Sequence, residues 1–289
     1  MFKLLIVITS LLFMSLFQPV FSAQDFAEIK SKARLANDTY LETNQIENTL
    51  QQQGQTLVHQ ATISGSQVSY FLSQSNDVQT IAIRGTANVE NAMLDLDIEL
   101  QPDPTLDIIL HKGFATGAKA VYDDIKPYLI ADTPIDITGH SLGGAIAVIL
   151  ALYLKQDDYP VTQIITFGQP KVTNVTGARK FADLPLIRIV TPKDIVPLVP
   201  PISPLQIKNL DIYWHMGEEV ILMGNKKYAQ TNGLKSMLRA TKFTSSIPNE
   251  KNLSAHKMTT YLSLIDELLD SPIEIPYKTD ISVFGFSLD

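Results

Sequence analysis

A single serine sits among glycines in ITGHSLGGAIAV, residues 137–148, where Gly139, Ser141 and Gly143 occupy alternate positions. A short apolar strand is predicted to end at Thr138, and an apolar helix to begin at about Leu142. Serine at such a strand-to-helix junction is the pattern of a nucleophile elbow. The turn holds the serine in a strained backbone conformation that pushes its hydroxyl out of the sheet, and its neighbours must lack side chains to avoid a clash. The helix starting there also presents the backbone N–H of Leu142 to an oxyanion forming beside Ser141. The competing account is a glycine-rich packing corner with an incidental serine, and the three residues alone do not separate the two.

A serine hydroxyl is a poor nucleophile until a base takes its proton, and that base needs an orienting acid. In this setting the acid and then the histidine follow the serine, each near the carboxyl end of a later strand. Asp194, in LIRIVTPKDIVPLVPP, falls in the loop after a strand ending near Val190, whereas Asp183 precedes that strand and lies at its wrong end. Two histidines come later. His215 lies within strand-like IYWHMG, where a half-buried structural role is expected. His256, in NLSAHKMTTYL, is expected at the start of the last helix, within reach of the sheet edge. Chain order admits either, and position favours His256. His140 adjoins Ser141, but adjacent side chains at a sharp turn point apart, which makes it a poor base.

The elements that must hold these residues follow from periodicity. DFAEIKSKARLAND and ETNQIENTLQQQG carry helical spacing, the second stopping at Gly54. TLVHQATI, QVSYFLSQ and VQTIAIRG read as strands separated by SGS and SND turns. From Lys112 helix and strand alternate: a helix near 113–128, strand IDITG, helix LGGAIAVILALYLK, strand VTQIITFG, a helix near 173–181 and strand PLIRIV. A hairpin over DIYWHMGEEVILMG and a last helix from about Ser254 to Leu269 complete the set. The βαβα order implies a mainly parallel sheet with helices on both faces. The apolar helix after His140 is about fourteen residues long and rich in Gly and Ala, which suits a buried core helix and not a membrane span.

Composition sets the class. The 289 residues are 45% hydrophobic and 18% charged, without repeat or long linker, so one domain over 23–289 is expected. Residues 1–22 join Lys3, an apolar run from Leu4 to Phe17 and a small-residue exit, the three parts of a secretory signal peptide. Its removal takes away Lys3 and no acid, leaving 22 basic against 30 acidic side chains, a charge that repels phosphate backbones and makes nucleic acid an unsuitable partner. No cysteine is present, which excludes disulfides, thiolate nucleophiles and cysteine zinc sites together.

Taken in order, IAIRGTAN, HKGF, ITGHSLGGA, TFGQPKVTN, VTPKDIVPLVPP, WHMGEEV and AHKMTTYL resemble the class 3, fungal-type lipase family over roughly residues 78–269. The resemblance implies an α/β-hydrolase fold and hydrolysis of acylglycerol-type esters, with phospholipase A1 or esterase activity as alternatives. It implies Ser141 as nucleophile, Asp194 as acid and His256 as base, and leaves His215 in a structural motif. Thr86, just after the RG that ends its strand, is implied as an oxyanion donor, with Leu142 as the second. No cofactor or metal is implied, and no protein partner beyond lipid or small ester and transient contact with a lipid interface. ANVENAMLDLDIEL matches a lid helix in position, with Val89, Ala92, Met93 and Leu96 at helical spacing. The tryptophan common there is replaced by Ala92, which weakens the expectation of interfacial activation. Asp95, Asp97 and Glu99 lack calcium-loop spacing and are expected to form a solvated face. Export, to the periplasm or beyond, follows from the leader.

Overall fold

Among the described residues nine strands form one sheet, in the order Thr56–Thr62, Ser69–Ser75, Val78–Ile83, Ile135–His140, Val161–Phe167, Leu186–Val190, Glu218–Gly224, Lys227–Thr231 and Ile273–Glu274. The computed structural model describes residues 24–86, 99–200, 212–231, 233–241 and 250–278, with the strand pair Ser282–Val283 and Phe286–Ser287. The signal peptide expected over 1–22 and positions 87–98 of the expected lid lie outside the described residues.

Helices α1 (Phe26–Asp38) and α2 (Thr43–Gln52) lead into strands β1 (Thr56–Thr62), β2 (Ser69–Ser75) and β3 (Val78–Ile83). Asp25 caps α1 by accepting from the Ala27 and Glu28 N–H groups, each at 3.0 Å. Two short strands, β4 (Leu100–Asp103) and β5 (Ile108–His111), precede helix α3 (Lys112–Ile125). Strand β6 (Ile135–His140) then runs into helix α4 (Leu142–Gln156), and β7 (Val161–Phe167) into β8 (Thr173–Asn174) and helix α5 (Val175–Lys180). Next come β9 (Leu186–Val190), β10 (Tyr213–Trp214), β11 (Glu218–Gly224), β12 (Lys227–Thr231) and helix α6 (Gly233–Thr241). Helices α7 (Glu250–His256) and α8 (Met258–Leu268) precede β13 (Ile273–Glu274), and β14 (Ser282–Val283) pairs with β15 (Phe286–Ser287).

The centre of the sheet, from β3 through β11, is parallel, and the antiparallel pairs β1/β2, β2/β3 and β11/β12 flank it. Its middle strands are apolar because helices cover both faces. On one face α4 is buried almost all round, and α3 packs over it with Gly117 against Ile146 and Val68. Each fully buried Leu or Ile there contributes about 1.5–3 kcal/mol. On the other face α1 and α8 bury Phe26, Ile29, Tyr261 and Ile265 against Ile165, Phe167 and Val220.

Four elements differ from expectation. The hairpin is not 211–224 but β11/β12, closed by Asn225 and Lys226 at φ 55° and 60°. The chain bends at Gly217, φ 67°, where a Cβ would lie 2.4 Å from the Leu186 carbonyl, and β10 leaves to join a second sheet. That second, antiparallel sheet, β10-β8-β5-β4, had no counterpart in the sequence reading. Helix α5 starts at Val175 and not near Thr173, because the Asn174 side chain caps it by accepting from the Gly177 N–H at 2.9 Å. The last helix is two: Lys257, at φ −67° and ψ 138°, interrupts it immediately after His256.

Candidate active site

Ser141 occupies the corner between β6 and α4 at φ 57° and ψ −129°, a conformation that costs about 1–3 kcal/mol for a residue with a side chain. Its surroundings enforce it. A Cβ on Gly139 would meet the Gly143 carbonyl oxygen at 2.5 Å, and one on Gly143 would meet the Ile83 carbonyl oxygen at 2.4 Å. The Ser141 N–H donates to the Phe167 carbonyl at 2.8 Å, tying the corner to the end of β7. The hydroxyl itself is buried and has no hydrogen-bond partner among the described residues.

The start of α4 thus touches the end of β3. A Cβ on Gly85 would lie 3.0 Å from Ser141 Cβ, so the chain carrying Thr86 passes directly beside the serine. Thr86 is exposed and Leu142 half-buried. As the first residue of its helix, Leu142 has an N–H without an intrahelical acceptor.

Asp194 follows β9 and is fully buried. Its Oδ1 accepts from the Val196 N–H at 2.9 Å, and its Oδ2 accepts from the Tyr261 hydroxyl at 2.5 Å. The same Oδ2 lies 2.8 Å from His256 Nδ1. Burial alone would push this carboxyl up, but the adjoining imidazole and these hydrogen bonds outweigh it and hold Asp194 below the usual carboxylate range. With Nδ1–H donated to that carboxylate, neutral His256 keeps an open lone pair on Nε2, and this buried atom also lacks a partner. Gly168 makes room for the pair. It ends β7 at φ 59°, and a Cβ there would sit 2.7 Å from His256 Cε1 and 2.8 Å from Asp194 Oδ2. The residue before it, Phe167, is the one that anchors Ser141.

The remaining candidates fall elsewhere. His256 ends the short helix α7 and does not begin the last helix as the periodicity suggested. His215 is buried, not half-buried, and its Nε2–H donates to the Pro197 carbonyl at 2.6 Å, steadying the turn that follows Asp194. Burial, with Arg188 and Lys171 nearby, holds its imidazole well below the usual range. Asp183 is paired with Lys155 at 2.7 Å on the surface. Glu99 pairs with Lys112 at 2.8 Å, while Asp95, Asp97 and the apolar lid positions lie outside the described residues. Among the described residues no group of three or more His, Cys, Asp or Glu side chains could hold a metal ion, and no helix is long and apolar enough to cross a membrane.

Sequence reasoning missed Tyr261, Gly168 and Tyr40. Tyr261 is spaced five residues from His256 on α8, and Gly168 closes the strand in TFGQP, so local pattern marks both positions but not what they touch.

Residues 80–203 match the family model for lipase (class 3). Secreted mono- and diacylglycerol lipase 1 of Fusarium solani is 30% identical over 141 residues, 42% of this chain and 39% of that protein. The chain thus spans about two fifths of the length of that curated relative. A solved triacylglycerol lipase whose catalytic centre is described as a serine protease triad superposes with a TM-score of 0.58 at 23% identity, over 71% of this chain and 83% of that one. An MDLA mutant from Penicillium cyclopium gives 0.66 at 19% identity, over 82% and 96%. The likeness to these solved structures shows an α/β-hydrolase fold, and the stretch that matches the family model carries Ser141 and Asp194 and leaves His256 outside it.

Proposed function

We propose that this chain is an exported serine ester hydrolase of acylglycerol-type lipids, with Ser141 as nucleophile, His256 as base and Asp194 as the orienting acid. The observation that carries the proposal is the buried His256–Asp194 hydrogen bond at 2.8 Å beside a strained serine whose hydroxyl is unpaired. Proton transfer requires an Oγ and an Nε2 that are not engaged elsewhere.

His256 Nε2 takes the Ser141 proton as Oγ bonds to the ester carbonyl carbon. The oxyanion is held by the backbone N–H groups of Leu142 and Thr86, each worth about 3–4 kcal/mol of barrier. Collapse expels the alcohol, which leaves with the proton from His256, and an acyl-serine remains. Water attacks that ester and gives a proton to His256; the Oγ–acyl bond then breaks, His256 returns the proton to Ser141 Oγ, and the acid departs. Asp194 stays ionised and stabilises the imidazolium of each transition state. Hydroxyl, imidazole and carboxylate suffice, so the scheme uses no cofactor.

A fluorophosphonate probe tests this: the wild type takes up label at Ser141 and Ser141→Ala does not, while an unlabelled wild type would make the protein a silent binder. Triolein emulsion, phosphatidylcholine and short p-nitrophenyl esters then separate lipase, phospholipase A1 and esterase. Preference for soluble short chains would sink the acylglycerol assignment. Residues 1–22 are proposed to be a cleaved leader, with 23–289 the mature domain, and N-terminal sequencing of exported protein that begins at Met1 would refute it.

A further inference from the structure

A second set of hydrogen bonds runs behind the reacting atoms. Tyr40 lies in the turn after α1, far in sequence from every residue of the proposed triad. Its hydroxyl is 2.8 Å from His140 Nδ1. On the opposite side His140 Nε2 is 2.7 Å from the carbonyl oxygen of His256. A carbonyl can only accept, so the hydrogen of neutral His140 is on Nε2, Nδ1 is the acceptor, and the tyrosine O–H is the donor. The same phenol oxygen accepts from the Gly85 backbone N–H and would lie 2.7 Å from a Cβ at that glycine. Gly85 in turn abuts Ser141 and precedes Thr86. The Arg84 guanidinium, 5.4 Å from the Tyr40 ring centroid, holds the ring from above.

We propose that the Tyr40 hydroxyl is a positioning group: by donating to Nδ1 of the His140 ring, whose Nε2–H the His256 carbonyl fixes, it joins the Gly85–Thr86 arm to the backbone of His256. One oxygen spans both halves of the site, the arm that meets negative charge and the turn that carries the base. Without it, the buried His140 Nδ1 loses its donor, and the ring that holds the His256 carbonyl is steadied from one side only. Gly85 would lose its acceptor at the same time. The interruption after His256 is what makes this coupling effective, because the carbonyl of His256 ends a short helix and is free to accept. The His140 ring also packs against the His256 ring, tilted by 33° with centroids 4.5 Å apart. Burial, then the nearby His256, pull its imidazole down to about 3, so it stays neutral beside a base that must become charged.

The inference rests on the ester-hydrolase proposal for its kinetic consequence but not for its tautomer. The experiment compares wild type with Tyr40→Phe, which keeps the ring. Turnover per fluorophosphonate-titrated site is expected to fall about tenfold or more, as for partners that orient an imidazole from behind. KM should change by less than about twofold, since the hydroxyl meets no substrate. In ¹⁵N-histidine NMR near neutral pH, His140 should be the Nε2–H form in both proteins, with its Nδ1 resonance moved downfield in Tyr40→Phe by loss of the tyrosine donor. A fall in turnover with an unmoved Nδ1 resonance, or unchanged turnover, would overturn the proposal. Should the variant not fold, a wild-type His140 carrying its hydrogen on Nδ1 overturns it. A wild type that takes no label defeats the hydrolase reading alone, and the Nδ1 comparison still decides the role of Tyr40.

Discussion

Two buried polar clusters flank β9, and they are built on opposite principles. In one, Glu219 Oε1 accepts from Arg188 at 3.3 Å and Arg239 at 2.7 Å, while Oε2 accepts from the Thr231 hydroxyl at 2.9 Å and Arg239 Nε at 3.3 Å. Arg188 is completed by the Met216 carbonyl and the Ser236 hydroxyl. Burial would push the Glu219 carboxyl up, but the two guanidiniums outweigh it and hold it at about 2. In the other cluster the acid is just as well satisfied, yet Ser141 Oγ and His256 Nε2 are left open. The carboxylate of the first cluster is spent on holding structure, whereas the second leaves two reactive atoms unengaged.

The sharpest break of this contrast is Ser141→Ala. Turnover should fall by roughly six orders of magnitude with thermal unfolding almost unmoved; near-normal activity would dissolve the distinction. Asp194→Asn keeps the shape but offers His256 the wrong hydrogen, so kcat should drop about 10⁴-fold while the fold persists by circular dichroism.

Glu219→Gln should do the reverse. It strands two buried guanidiniums and should cost about 3–5 kcal/mol in denaturant unfolding, with kcat per folded molecule preserved. The same carboxyl sets an acid limit. Its folded value lies below its ordinary 4.5, so its contribution is complete above that pH and is lost as pH falls toward 2. A pH titration of wild-type unfolding shows this loss, and the Gln variant should lack it. The smallest effect expected is that of Gly168→Ala. Its methyl displaces His256 and Asp194, and turnover should fall about 10²-fold. Loss of stability without loss of turnover there would mean that Gly168 does not serve the site.

The parallel centre of the sheet and its helices were legible because runs such as VTQIITF and LGGAIAVILALYLK have one plausible burial. Ser141 and Asp194 were legible for the same reason: each stands at a strand end that periodicity locates. The second sheet was not, since strands of four residues or fewer, one containing Pro102, carry too short an alternation to read. Nor was the hairpin, where alternation in DIYWHMG continues past a bend set by contact with Leu186. Tyr40 and Tyr261 matter through partners 100 and 67 positions away, and no local pattern encodes such distances.

Gly143 lies with its Cα against the carbonyls of Ile83 and Arg84, so Ser141 and the start of α4 are welded to the end of β3. His256 hangs instead on a seven-residue helix that stops beneath it. Gentle heating should therefore release the imidazole before the oxyanion pocket melts, leaving a warm intermediate that still binds negative charge but no longer turns over.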